Sequence, residues 1–215
     1  RHACCGNTVD LCSIVNVKSG GCSENCGFCS QSAHHPGKDS PVYGLKPTEE
    51  ILEQAKAAEA AGAKRFCLVS QGRGPKYQSP KSREFEQVLA TVRRIIDETG
   101  IKPCCALGEV TPEQAQALSE AGVTRYNHNL EASENFFENI VTTHSWRDRV
   151  ETVKNLKAAG IQACTGGIMG MGEDEDDRVG LMMQLANLPH HPESVPVNML
   201  VKVKGTPMED VEDLD

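Results

Sequence analysis

Two hydrophobic rhythms alternate along the 215-residue chain. Short apolar runs bounded by glycine or polar clusters read as buried strands at 11–17, 66–70, 103–107, 124–131, 161–168 and 195–201. Between them lie stretches of helical character. Thr48 followed by Glu49 and Glu50 reads as an N-cap with an acidic first turn, and the Ala-rich helix runs to Ala61 with Gly62 as its stop. Val88, Leu89, Val92, Ile95 and Ile96 carry a helix over 83–98, and Thr111-Pro112-Glu113 opens one that ends at Gly122. Two more helices are expected at 146–159, before Gly160, and at 174–187, while 31–47 and 71–81 are polar, Gly/Pro-containing loops.

Strand–helix alternation implies an α/β fold with a parallel sheet and helical crossovers. An open doubly wound sheet and a (β/α) TIM-type barrel both fit that order. Polarity inside the strands favours the barrel. Alternation places Asn127, Asn129 and Glu131 on one face of the fourth strand, and Asn198 interrupts the sixth. Such groups are costly on a parallel strand unless they face a polar lumen or a ligand. A closed barrel needs eight strands, so the six found here predict one domain over 1–215, incomplete at its C-terminal end.

Charge narrows the function. The net charge is −8 with Lys and Arg scattered, which argues against nucleic acid as a partner. No apolar stretch of about 18 residues suggests a membrane span, and no targeting segment is recognisable in a sequence that opens at Arg1. Ten cysteines are many for this length and suggest a reducing compartment in which several thiols bind metal. Cys4, Cys5 and Cys12 are expected to be small hydrophobes of the core.

Cys22, Cys26 and Cys29 stand at the spacing C-x₃-C-x₂-C within one loop after the first strand. Three thiolates so close can hold three irons of a [4Fe–4S] cube and leave the fourth iron open to a small molecule. A zinc loop is the alternative. It wants four ligands, usually in paired units, and no second C-x₂-C follows, although His34 and His35 are near. Cys67, Cys104, Cys105 and Cys164 lie in the middle of strands, where core packing is the ordinary reading. Cys104 and Cys105 must point to opposite faces, so one of them at most can join Cys67 and Cys164 in a lumen site. Three thiolates would leave a [2Fe–2S] cluster one ligand short.

The sequence resembles the biotin synthase family of radical S-adenosylmethionine (SAM) enzymes from end to end. The resemblance rests on Cys22-Ser23-Glu24-Asn25-Cys26-Gly27-Phe28-Cys29, Arg65-Phe66-Cys67, Tyr126-Asn127-His128-Asn129-Leu130-Glu131, Ala163-Cys164-Thr165-Gly166-Gly167-Ile168 and Pro196-Val197-Asn198-Met199-Leu200. It implies that Cys22, Cys26 and Cys29 hold a [4Fe–4S] cluster, and that Cys67, Cys104 and Cys164 hold a [2Fe–2S] cluster. It further implies SAM contacts at Phe28, Asn129, Glu131, Arg149, Gly166, Ile168 and Gly170, with dethiobiotin near Asn127, Asn129 and Asn198. The implied reaction is sulfur insertion into dethiobiotin, with a 5′-deoxyadenosyl radical taking hydrogen from carbon and the [2Fe–2S] cluster giving sulfur.

The family pattern has Asp in many members where Glu131 stands, and its fourth [2Fe–2S] ligand is an arginine on a late strand beyond residue 215. The resemblance also implies an electron-donor protein of flavodoxin or ferredoxin type, a homodimer at full length, and a cytoplasmic setting (mitochondrial in a eukaryote). Two alternatives remain beside it. One is another radical SAM barrel enzyme, lipoyl synthase-like or hydrogenase-maturase-like; the other is a cluster-binding fragment without turnover.

Overall fold

The computed structural model describes residues 9–36, 40–78 and 82–214. Its elements follow in the order β1 (Cys12–Lys18), α1 (Thr48–Ala60), β2 (Arg65–Ser70), α2 (Arg83–Glu98), β3 (Lys102–Ala106), α3 (Pro112–Glu120), β4 (Arg125–Asn127), the short α4 (Glu134–Phe137), α5 (Trp146–Ala158), β5 (Gln162–Cys164), β6 (Gly167–Met169), α6 (Glu175–Ala186) and β7 (Val197–Met199). Every strand pairing is parallel, in the order β1-β2-β3-β4-β5, with β6-β7 as a second pair. Isolated bridges from Glu131 to Gly167 and from Cys164 to Ser194 join the two groups into one curved array. No helix among the described residues is long and apolar enough to cross a membrane.

The expected elements are present with shifted ends. The fourth strand stops at Asn127, and the fifth is broken between Cys164 and Gly167 into β5 and β6. At the break the chain runs close to Pro196, just before β7: a Cβ on Gly166 would stand 1.9 Å from the Pro196 carbonyl oxygen, so only glycine fits there. Thr48 is not a side-chain cap. The helix begins after Pro47, and the Thr48 hydroxyl instead meets Thr91 Oγ1 at 2.9 Å. The capping box of α3 is complete, with Thr111 accepting from Gln114 N and Gln114 accepting from Thr111 N.

Side-chain alternation divides the sheet into two faces. Val15, Val17, Phe66, Leu68, Cys105 and Tyr126 turn outward and are buried with Ile51 and Leu52 of α1, Val88, Val92 and Ile95 of α2, and Leu118 of α3. Cys67 and Cys104, paired in register, face the lumen. Cys105 therefore belongs to the apolar layer. Cys12 departs from expectation, since it is exposed and lies outside the core; Cys4 and Cys5 lie outside the described residues. All three residues of β7 are exposed.

Tyr126 ties the sheet to the loop after β3. Its buried hydroxyl donates to Gly108 O at 2.8 Å and accepts from Leu107 N at 3.0 Å. Tyr126→Phe leaves the buried Leu107 N–H without its acceptor and the half-buried Gly108 carbonyl without its donor. We expect a loss of about 1–3 kcal/mol, read as a lower denaturant midpoint at unchanged slope.

Candidate functional site

The cysteine loop leaves the C-terminal end of β1 and is fastened along its length. Cys22 N donates to Gln31 O and Ala33 N to Cys22 O, while Gly27 N donates to Ile140 O at 2.9 Å. Asn25 Oδ1 accepts from Thr142 N and Thr143 N, and its amide donates to Thr142 Oγ1 at 2.6 Å. His34 and His35 place Nε2 on the carbonyls of Ser23 and Cys26, at 3.0 and 2.9 Å. Those nitrogens are thereby occupied in holding the loop, which weakens the zinc alternative.

A second line of contacts runs from the loop to the end of β4. Arg149 Nε donates to His144 Nε2 at 3.2 Å, and a guanidinium can only donate. Nε2 is therefore the acceptor, and Nδ1 carries the proton that His144 donates to Glu24 Oε2 at 2.7 Å. Burial and the neighbouring Arg149 charge lower the His144 pKa, in keeping with a neutral ring. Burial pushes the Glu24 carboxyl up, but hydrogen bonds from Thr143, His144 and Ser23 outweigh it and hold Glu24 below its ordinary range. Arg149 Nη1 also donates to Asn129 O at 2.9 Å and lies 3.6 Å from Glu131 Oε1.

These groups enclose a cavity of about 310 Å³, lined by Cys22, Cys26, Phe28 and Cys29 from the loop and by Asn127, His128, Asn129 and Glu131 from the β4 end, with Arg149 beside them. Arg73 and Glu109 close the far wall. Glu109 is nearly fully buried and accepts from Tyr77 Oη at 2.9 Å and Lys76 Nζ at 3.2 Å, with Arg73 Nε 3.4 Å away. The wall depends on Gly74, at φ 134°, where a Cβ would come within 2.2 Å of Glu109 N.

Glu131 is the strained member. Its φ of 69° is left-handed, a conformation costing on the order of 1–3 kcal/mol for a residue with a side chain. It places a buried carboxyl on the cavity with Oε2 unpartnered among the described residues. Burial raises its pKa against the opposing Arg149 charge. His128 Nε2 is likewise buried without a partner. An acceptor and a ring nitrogen left open in this way suit a polar occupant.

The thiols fit an iron–sulfur cube beside that occupant. Cys22 and Cys26 are buried and Cys29 half-buried, all on the cavity. Burial pushes Cys26 up to about 12 and raises Cys29, so loading a metal centre must release thiol protons. Among the described residues no three His, Cys, Asp or Glu side chains are close enough to hold a single ion, whereas a cube takes one thiolate per iron.

Of the residues expected at the site, Phe28, Asn127, Asn129, Glu131 and Arg149 share the cavity with the three loop cysteines. Ile168 is half-buried and, like Phe28 and Cys29, packs against the apolar cluster of Cys26, Phe137 and Met171. Gly166 is spent on strand packing and on a bond from its N–H to Asn129 Oδ1, while Gly170 N donates to Glu173. Asn198 sits exposed on β7, in register with Ile168. Cys67 and Cys104 lie deeper in the lumen, where Asn127 Nδ2 approaches Cys67 Sγ at 3.5 Å. Cys164 is half-buried in register with Asn127. The sequence reading missed Glu24, His144, His128, Arg73 and Glu109 as site residues. Glu24, between two cluster-spaced cysteines, carried a signal; His144 and Glu109 are distant in sequence and did not.

A family model of the radical SAM superfamily matches residues 16–186. The biotin synthase of Picosynechococcus sp. is 77% identical over 215 residues, and that of Trichodesmium erythraeum 75% identical over 215. The match takes in 100% of this chain, which spans 58% of the length of each of these relatives. Among solved structures, methylornithine synthase superposes with a TM-score of 0.84 at 21% identity, over 99% of this chain and 60% of that one. A maturase of the [FeFe]-hydrogenase gives 0.79 at 16%, over 98% and 47%. At those identities the likeness is one of fold.

The cavity predicts a pH response. His128 is buried, and burial, then the charge of Arg149, hold its pKa well below 6.5. Below about pH 6.5 the unfolded chain binds this proton and the native one does not, so stability falls on acidification from pH 7.5 to 5.5. His128→Asn should flatten that slope in denaturant midpoints across the interval. An unchanged slope contradicts the assignment.

Proposed function

The chain belongs to the radical SAM superfamily, and from that premise we propose that it is the cluster-bearing barrel of a biotin synthase, acting on dethiobiotin. One observation carries the reading beyond the superfamily. Cys67, Cys104 and Cys164 lie on three separate strands and share a lumen face, below a cavity lined by the cysteine loop. Identities of 77% and 75% to biotin synthases support it. When bound, a [4Fe–4S] cluster with SAM supplies a 5′-deoxyadenosyl radical, and a [2Fe–2S] cluster supplies sulfur.

The chain's own residues position and shield. Cys22, Cys26 and Cys29, which line the cavity, would hold the cube, and Cys67, Cys104 and Cys164 would hold the second cluster. Glu131, with its open carboxyl oxygen, would accept from SAM, and Arg149 would balance the SAM carboxylate. Phe28 and Ile168 would give apolar wall to the same molecule, with Asn129, Gly166 and Gly170 framing it. Asn127, Asn129 and Asn198 would meet the cyclic urea of dethiobiotin, whose carbonyl and N–H groups match amide side chains. The relay Glu24–His144–Arg149 fixes the loop against the β4 end, so that cluster and SAM contacts keep one relative placement. The walls around the cavity would limit the access of water to a reactive carbon radical.

We read the chain as one domain, cytoplasmic, drawing electrons from a flavodoxin- or ferredoxin-type donor and dimeric at full length. The test is anaerobic turnover of the full-length protein containing this chain, reconstituted with iron and sulfide. It should convert dethiobiotin to biotin with SAM and a reductant. Cys26→Ala should reduce both SAM cleavage and biotin to background while part of the [2Fe–2S] absorption survives. SAM cleavage retained in Cys26→Ala sinks the loop assignment, and no biotin from the loaded wild type sinks the substrate.

A further inference from the structure

The cavity wall opposite the cysteine loop is thin. Ser70, Gln71, Gly72 and Arg73, where β2 runs out into the loop before α2, line the site cavity on one side and a second cavity of about 190 Å³ on the other. Packing fixes a segment only where atoms surround it. A strip between two hollows therefore depends on its polar contacts.

Those contacts converge on Glu109, in the loop after β3. Its N–H donates to the Arg73 carbonyl at 2.8 Å, and its own carbonyl accepts from Lys76 N at 3.1 Å. The two backbones can approach this closely because Gly74 and Gly108 have φ of 134° and 89°, and a Cβ on Gly108 would stand 2.5 Å from Arg73 O. Gln114 Nε2 donates to Pro75 O at 2.8 Å and ties the same loop to α3. The buried Glu109 carboxylate then gathers Tyr77 Oη, Lys76 Nζ and Arg73 Nε. The Arg73 guanidinium sits over the Tyr77 ring, 3.9 Å from its centre, with Asp148 Oδ2 3.7 Å from its Nη2.

Two guanidinium groups thus line one cavity, Arg73 on the far wall and Arg149 beside Glu131. Their charges are engaged differently. Arg73 and Lys76 are matched by Glu109 and Asp148, two cations against two carboxylates. Arg149 donates to uncharged groups, His144 Nε2 and Asn129 O, and Glu131 Oε1 stands 3.6 Å away. An incoming carboxylate is drawn to the guanidinium whose charge is least spent. That is Arg149, provided Arg73 stays engaged. Arg149 is joined through His144 and Glu24 to the cysteine loop, so a carboxylate held there stays on the side of the thiols. One captured by Arg73 would be drawn to the opposite wall.

We propose that Glu109 is a positioning residue for the cofactor: it withholds Arg73 from the cavity and leaves Arg149 as the guanidinium that the SAM carboxylate meets. The inference rests on the reading of this cavity as the SAM site. It gives Glu109 no contact with SAM; the residue acts through Arg73.

The experiment uses the full-length protein containing this chain, loaded anaerobically with iron and sulfide. SAM binding is read by equilibrium dialysis and SAM cleavage under a reductant. Glu109→Gln keeps the side-chain size and an acceptor for the Tyr77 hydroxyl, and removes the charge that holds Arg73. It should still bind SAM, while cleavage falls by about 10²-fold, the cost of a misplaced reacting group. Glu109→Gln combined with Arg73→Gln should return cleavage to within about tenfold of the wild type, since the two residues act as one pair. A merely structural role for Glu109 would leave the double variant no better than the single one, and that result overturns the proposal. So does wild-type cleavage, or loss of SAM binding, in loaded Glu109→Gln. If the single variant takes up no loop cluster, the double variant decides alone: cleavage in the stated range supports the proposal, and background cleavage in the loaded protein overturns it. A loaded wild type that binds no SAM overturns the underlying reading, and the proposal with it.

Discussion

The register of a parallel sheet decides nearly everything this chain can do. A side chain in a strand has only two directions, and the neighbouring strand fixes which residues stand level. One face of β1 to β4 is given to Val15, Val17, Phe66, Leu68, Cys105 and Tyr126, which bury against the helices. The opposite face is then free of the packing requirement and can carry thiols, amides and guanidinium groups. A slip of one residue in β3 would exchange Cys104 for Cys105 and place an arginine-flanked thiol in the apolar layer.

The same division places the chemistry at one end. The cysteine loop follows β1, Glu109 follows β3, and Asn127 to Glu131 continue from β4, all at C-terminal strand ends. Their mutual positions are fixed by polar contacts that no strand pairing supplies. Asn25 holds residues 142 and 143, and Glu24 holds His144, which accepts from Arg149. Since Arg149 also bonds the Asn129 carbonyl, the loop and the β4 end form one unit before any cofactor enters. The left-handed backbone at Glu131 is strain retained at that junction.

Much of this was legible in the sequence, for physical reasons. Helices over 83–98 and 146–158 follow from apolar spacing and polar caps, and both lie within a residue of expectation. The mutual exclusion of Cys104 and Cys105 needs only strand alternation. The break at Thr165-Gly166 was not legible, and neither was the close approach of Gly166 to Pro196 beside it, a tertiary contact. Thr48 looked like a cap, but Pro47 stands at that position and Thr91 takes the hydroxyl. Cys12 was misplaced because a free cysteine is usually a core residue; its exposure depends on which face of an edge strand it occupies. The pairing of Glu24 with His144 spans 120 residues and left no local trace.

The proposal at the centre of this account is two separate cluster sites, one in the loop at the mouth and one formed by Cys67, Cys104 and Cys164 on the strands below it. The most direct measurement is the iron and acid-labile sulfide content of the full-length protein after anaerobic reconstitution, counted per chain. The account predicts roughly six irons and six sulfides, the sum of a [4Fe–4S] and a [2Fe–2S] cluster. Saturation at roughly four of each, with no further uptake at excess iron and sulfide, would contradict it.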